Sequence, residues 1–175
     1  MAKPVEAAYV KAGMRLKKIK TVTAFQRELK KYLNNNLVLH LSTCRNDVPR
    51  STPLEFRFCD MSFYILSEGG GKFANLEKNK KVAFSIAAPY NSEEDYLGFK
   101  GVQAWGSAKV YRRRENPKKF NDSLKKMNIM KSLKNLGIKE LPPEVNYRII
   151  EIVPDRIRYG NPREGIYWIT RYRTG

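Results

Sequence analysis

Residues 63–86 read FYILSEGGGKFANLEKNKKVAFSI, and this stretch decides the fold. The apolar run Phe63-Tyr64-Ile65-Leu66 predicts a strand that the turn-forming stretch Ser67-Glu68-Gly69-Gly70-Gly71 closes. Phe73 and Leu76, three residues apart, predict a short two-turn helix over 72–79, and Val82-Ala83-Phe84-Ser85-Ile86 predicts the next strand. A strand ending in a hydroxyl, a glycine turn and a lysine at a helix start together suit an anion. Helix N-terminal amides favour negative charge, and Lys72 adds a full positive one. The spacing matches neither Gly-x-x-x-x-Gly-Lys-Ser/Thr nor a Rossmann turn, and glycine triplets also serve as plain connections.

Upstream, a helix starts near Thr23, with Thr23 and Gln26 as a capping box. Phe25, Leu29, Tyr32 and Leu33 share one face, and Asn34-Asn35-Asn36 stops the pattern. Leu37, Leu39 and Leu41 then alternate with polar or smaller residues. A turn at Arg45-Asn46-Asp47 leads into a second alternating run with Leu54, Phe56 and Phe58 on one side, an antiparallel hairpin, and a further turn falls at Cys59-Asp60.

Downstream, Val102, Ala104, Gly106, Ala108 and Val110 alternate with Gln103, Trp105, Ser107, Lys109 and Tyr111. A face of Ala-Gly-Ala cannot fill a core alone, so an aromatic, a backbone or a ligand must approach it. Asn116 and Pro117 open an amphipathic helix with Phe120, Leu124, Met127, Met130 and Leu133 on one face, ending before Gly137. Tyr147–Val153 and Arg156–Tyr159 follow as a strand pair or one bent strand. The expected fold is mainly β with peripheral helices, an antiparallel barrel, in which residues 1–22 form an N-terminal arm and 23–175 the domain.

The composition sets bounds on function. The chain has 175 residues, 42% of them hydrophobic, enough for one substantial core, and a formal charge of +17. Residues 1–36 hold 9 basic and 2 acidic side chains, residues 37–111 hold 9 and 8, and residues 112–175 hold 16 and 7, so the excess sits on the flanks. A solvated lysine-rich helix explains such a distribution, and a nucleic-acid surface is the alternative. No apolar run is long enough to cross a bilayer and no signal peptide is legible, so a cytoplasmic location is expected.

Side chains for unaided catalysis are scarce. His40 is the single histidine, on an alternating strand, and is expected to be a hydrogen-bonded structural residue. Cys44 and Cys59 are expected to pack inertly, and Glu93-Glu94-Asp95 to form a solvated loop; no metal site is expected. An enzyme built on this chain would take its reactivity from a cofactor.

From Leu37 to Tyr111 the ordered segments resemble the flavin-binding split barrels related to pyridoxamine 5'-phosphate oxidase. The segments are Leu37-Val38-Leu39-His40-Leu41-Ser42, Pro49-Arg50-Ser51-Thr52-Pro53-Leu54-Glu55-Phe56, Phe63 to Ser67, Lys72 to Phe84 with its Lys-x-x-Asn-Leu-x-x-Asn-x-x-Val spacing, and Gly101 to Ala108. The resemblance implies a homodimer of six-stranded antiparallel split β-barrels with FMN at the interface. It assigns the FMN phosphate to Ser67, Lys72 and the amide near Gly71, and the isoalloxazine edge to Arg50, Ser51 and Thr52. Gln103 or its backbone would reach the ring from the later strand, and Trp105 would stack near it or be buried between subunits.

The same resemblance implies a flavin-dependent oxidoreductase whose substrate and electron donor are unspecified, or a carrier or sensor that holds flavin without turnover. FAD, deazaflavin and haem are the alternative cofactors. Two departures stand out. Ile166-Tyr167-Trp168-Ile169-Thr170-Arg171-Tyr172 supplies the Trp and Arg of the oxidase signature without its Leu and Pro, and no histidine follows His40 to serve as haem-degrading relatives use theirs.

Overall fold

The computed structural model describes residues 4–172; residues 1–3 of the expected arm and 173–175 lie outside the described residues. Helix α1 spans Pro4–Lys11 and α2 spans Val22–Leu33. The cap of α2 is Thr21, two residues before the expected box: its extended backbone lets Oγ1 accept from the Ala24 amide at 3.1 Å. Phe25, Leu29, Tyr32 and Leu33 are buried along the predicted face.

The strands are β1 (Val38–Arg45), β2 (Val48–Glu55), β3 (Arg57–Cys59) and β4 (Ser62–Ser67), then α3 (Gly71–Lys78), β5 (Lys81–Ala87) and β6 (Gly101–Arg112). Helices α4 (Pro117–Met127) and α5 (Ile129–Asn135) lead to β7 (Arg148–Asn161), a 3-10 turn at Pro162–Glu164 and β8 (Ile166–Tyr172). Every pairing is antiparallel. The hydrogen-bonded order is β2-β1-β5-β6-β7-β4-β3, with β8 on β7.

Two-residue turns set the register. Asn46 and Asp47 (φ 51° and 60°) join β1 to β2, and Asp60 and Met61 (φ 48° and 59°) join β3 to β4, in the left-handed conformation that matches strand twist. The single alternating run expected through Leu54, Phe56 and Phe58 divides at Phe56, so that β2 pairs with β1 and β3 with β4. The two ends of the open sheet are therefore consecutive parts of one chain segment. Counting β2 and β3 as one strand gives the predicted six-stranded split barrel, to which β8 is added.

The barrel interior holds Leu39, Leu41, Phe56, Phe63, Phe84, Ile150 and Ile152, and each fully buried side chain of this size contributes about 1.5–3 kcal/mol. On the Ala104-Gly106-Ala108 face the space at Gly106 is filled by backbone, while Ala104 and Ala108 join the side-chain core. A Cβ on Gly106 would lie 2.3 Å from the Val153 carbonyl oxygen and 2.7 Å from Pro154 Cα, at a bulge where Trp105 pairs with Arg156 and Gly106 with Pro154, leaving Asp155 over. The late segments are thus one bent strand.

Outside the barrel, α4 packs Phe120 and Met127 over Tyr64 and Ile149. Beneath it the hydroxyls of Tyr64 (2.9 Å) and Tyr111 (2.5 Å) both donate to Glu151, and burial raises both phenol pKa values. The helix expected to run on to Leu133 breaks at Asn128, whose φ of 50° starts α5 in a new direction. Asn116 makes no side-chain cap there, while Pro117 occupies the first turn. The arm is packed down: Met14 and Ile19 are buried, Lys17 N–H donates to the Gly165 carbonyl at 2.8 Å, and Tyr9 lies against Tyr167. No helix among the described residues is long and apolar enough to cross a membrane.

Candidate anion site

At the end of β4, Gly70 turns with φ 104°, open to glycine at little cost, and α3 begins at Gly71 with no side chain capping its first amides. The helix is fixed in place by Asn75, which donates to Thr43 Oγ1 of β1 at 3.1 Å, and by buried Phe73 and Leu76.

Three cations converge on this bare helix start. Lys72 is only 6% exposed; its ammonium donates to the Gly69 carbonyl and lies 4.9 Å from the Phe73 ring centre. Arg50, on β2, places its guanidinium against Gly71: a Cβ there would sit 3.1 Å from Nη1. Arg148 opens β7 opposite Ser67 of β4, its guanidinium carbon 4.6 Å from the Phe73 ring on which Lys72 also rests. Burial, then the charges of Arg50 and Arg148, push the Lys72 pKa below the ordinary lysine value.

No carboxylate of the described residues pairs with the group. None of the ion pairs among the described residues includes Arg50, Lys72 or Arg148. The Nε of Arg148 and the Oγ1 of Thr52 are buried without a hydrogen-bond partner. Clustered like charges that lack a counter-ion, beside uncapped helix amides, form an arrangement that a dianionic phosphate would complete. The residues present therefore fit a phosphate monoester.

The predicted site residues divide between two places. Arg50, Thr52, Ser67, Gly71 and Lys72 belong to the cluster or its immediate strands; Arg50 and Thr52 lie opposite buried Thr43 and Leu41 and so share their face of the sheet. Arg50, which the resemblance set beside a ring edge, lies at the helix start with Lys72. Ser51, Gln103 and Trp105 lie on the barrel's outer face: Ser51 pairs with exposed Ser42, Gln103 with Ser85 and Arg158, and Trp105 with Ala83 and Arg156. The Arg156 guanidinium covers the Trp105 ring at 3.8 Å.

Arg148 was not legible as a site residue, because only the pairing of β7 with β4 brings it to Ser67. His40 is exposed and its side chain makes no hydrogen bond among the described residues, which corrects its reading as a hydrogen-bonded residue; its strand turns Leu39 and Leu41 inward and His40 outward. Cys44 and Cys59 are free and half-buried, and burial raises the Cys59 pKa. Asp95 pairs with Arg163, and among the described residues no cluster of metal ligands forms.

The family model for pyridoxamine 5'-phosphate oxidase matches residues 25–161. General stress protein 26 of Bacillus anthracis is 26% identical, with 79% of this chain and 95% of that one covered at a TM-score of 0.53. An FAD-binding protein from Mesorhizobium loti is 16% identical, covering 75% and 90% at 0.56. HutZ, the haem storage protein from Vibrio cholerae, is 16% identical, covering 74% and 89% at 0.56; these last two likenesses are of fold alone. No curated protein matches the sequence.

Proposed function

The chain belongs to the pyridoxamine 5'-phosphate oxidase family, and on that premise we propose that it binds FMN, with the phosphate held by Lys72, Arg50 and Arg148 at the start of α3. The observation that carries this reading is the set of three cations with no acid partner around a buried, unpartnered Arg148 Nε. When bound, FMN supplies hydride or electron transfer. The chain's part is to bind and orient. Lys72 and the two guanidiniums neutralise phosphate, and the uncapped amides at Gly71 and Lys72 add oriented dipoles without reorganisation. The activity proposed is that of a flavin-dependent oxidoreductase.

Ser51, Gln103 and Trp105 face away from the cluster, so in this reading a second subunit brings an outer face to the flavin and the protein works as a homodimer. FMN is favoured over haem because the sole histidine, His40, projects from the outer face of β1, while the cluster offers only cations.

The test is the visible spectrum of the purified protein with the released chromophore identified by mass, followed by FMN titration. Lys72→Ala is expected to weaken FMN binding by about 10- to 100-fold, the worth of one charge-assisted hydrogen bond. Protein that is colourless and takes up no FMN would overturn the proposal, and a haem band would replace it with a haem-binding one.

A further inference from the structure

Beside the cation cluster lies a cleft of about 590 Å³, of a size that holds a one- or two-ring molecule. It is contiguous with the cluster through two shared residues. Gly69 lines it and accepts the Lys72 ammonium; Ser67 lines it and pairs across the sheet with Arg148. Its walls are apolar: Phe56 and Leu66 from the barrel, Met127 from α4, Ile129 and Leu133 from α5, and Leu141 from the connection to β7. The turn at Asn128 is what swings α5 into this position, because a straight continuation of α4 would follow another path.

The cleft's charges oppose those of the cluster. Its ionised lining residues are Glu55, Glu68 and Arg57, two acids against one base on a chain of net +17. Arg57 is already engaged, with Nη1 2.6 Å from Glu55 Oε1 and 3.1 Å from the Phe56 carbonyl oxygen. Glu68 has no ion pair among the described residues, and Ser67 and Tyr147 supply neutral polar contacts. With Glu55 and Arg57 paired to each other, an anion entering this cleft would meet the unpaired Glu68 carboxylate and no unpaired cation of the lining; an uncharged or cationic group would meet an acceptor.

We propose that this cleft is the substrate site, and that it takes a small apolar-bodied molecule bearing a neutral or cationic polar group and rejects phosphorylated ones. This rests on the reading that flavin phosphate occupies the neighbouring cations. The two sites divide the labour by charge: the cations hold the cofactor's phosphate, and the acid-rimmed cleft keeps other anions out of the adjoining space.

The experiment titrates the full-length protein, with and without added FMN, against three probes of one shape: 2-naphthylmethylamine, 2-naphthalenemethanol and 2-naphthyl phosphate. Calorimetry gives the affinities. The amine and the alcohol are expected to bind and to be lost together in Leu133→Trp and in Ile129→Trp, each of which fills the cleft from an already half-buried position. In the Glu55→Gln/Glu68→Gln double variant the amine should weaken about three- to fivefold and the alcohol stay unchanged, as expected for exposed charge pairs. FMN affinity serves as the fold control, expected to be unchanged in all three variants.

Two results overturn the assignment: naphthyl phosphate binding as tightly as the amine with that binding lost in Leu133→Trp, or amine and alcohol binding that neither cleft-filling variant reduces. Phosphate-probe binding that survives both variants comes from outside the cleft and agrees with the proposal. If the probes behave as expected and FMN does not bind, the cleft stands and the flavin reading alone fails; the folded state is then verified by the unchanged alcohol affinity of the double variant.

Discussion

Three basic side chains gather at two places in this molecule, with opposite outcomes. Around Glu28 on α2, Lys17, Arg27 and Lys31 stand 3.0, 3.7 and 3.5 Å from a carboxylate that is only 4% exposed. Around the start of α3, Arg50, Lys72 and Arg148 have no acid partner among the described residues. The helix starts differ in the same sense: Thr21 caps α2, and nothing caps α3. The pKa values report the contrast. Burial opposes ionisation of Glu28, but the hydrogen bond and charge of Lys17, with Lys31, outweigh it and hold the carboxyl below its usual range; at Lys72 burial and like charges act together to lower the pKa. The first cluster contains its own counter-ion; the second lacks one among the described residues, and in the reading proposed above the phosphate of FMN supplies it.

Supplying the missing acid is the strongest way to erase that contrast. Ser67→Asp places a carboxylate opposite Arg148 and beside Lys72, and is expected to weaken FMN binding by about 100-fold or more while leaving thermal stability equal or higher. Retention of FMN at wild-type affinity would refute the phosphate assignment. Arg148→Met keeps an apolar stem over Phe73 but removes the charge; a loss of about tenfold in FMN affinity is expected, with partial recovery in Arg148→Lys and a shallower dependence on salt.

The lowered pKa of Lys72 gives a sign to the pH dependence. FMN affinity should fall on the alkaline side at a pH below the ordinary lysine range, whereas Lys72→Arg, charged throughout, should show a later decline; superimposable alkaline limbs would contradict the cause assigned here. Without ligand, the unfolded chain binds more protons between the folded Lys72 pKa and that of a free lysine, so Lys72 makes stability rise with pH over that window.

The smallest effect belongs to the self-neutralised cluster. Glu28→Gln should cost about 1 kcal/mol of unfolding free energy at neutral pH, since its three partners are a third or more exposed, and leave FMN affinity within about twofold. That contribution is present above the unfolded carboxyl pKa and disappears as pH falls through the depressed folded value, so the variant's acid limb should be flatter in denaturant titrations.

How much of this was legible varies with the range of the interaction. The alternation of Leu39 and Leu41, the strand Phe63 to Leu66 and the short helix at Phe73 and Leu76 are local patterns, and each is realised. The division of one run at Phe56 was not legible, because both halves alternate continuously and only the choice of partners separates them. Within the site, Lys72 and its glycines were readable as a local turn. Arg148 was hidden 76 positions away along the chain, in a segment whose sequence promises only a strand. The resemblance set Ser51, Gln103 and Trp105 at the flavin ring and Lys72 at its phosphate, and period-two alternation turns the first three to the face away from Lys72.

By itself the sequence determined the antiparallel barrel, its peripheral helices, the glycine-lysine helix start and the scarcity of acid-base side chains, all properties of neighbours along the chain or of composition. Tertiary structure alone decided that Arg50 and Arg148 join Lys72 without a carboxylate, that Gly106 yields its space to the backbone at Val153, and that α5 turns at Asn128 to wall a cleft rimmed by Glu55 and Glu68. The physical reason is that charge and volume are balanced in space, by side chains that strand pairing brings together from distant parts of the chain.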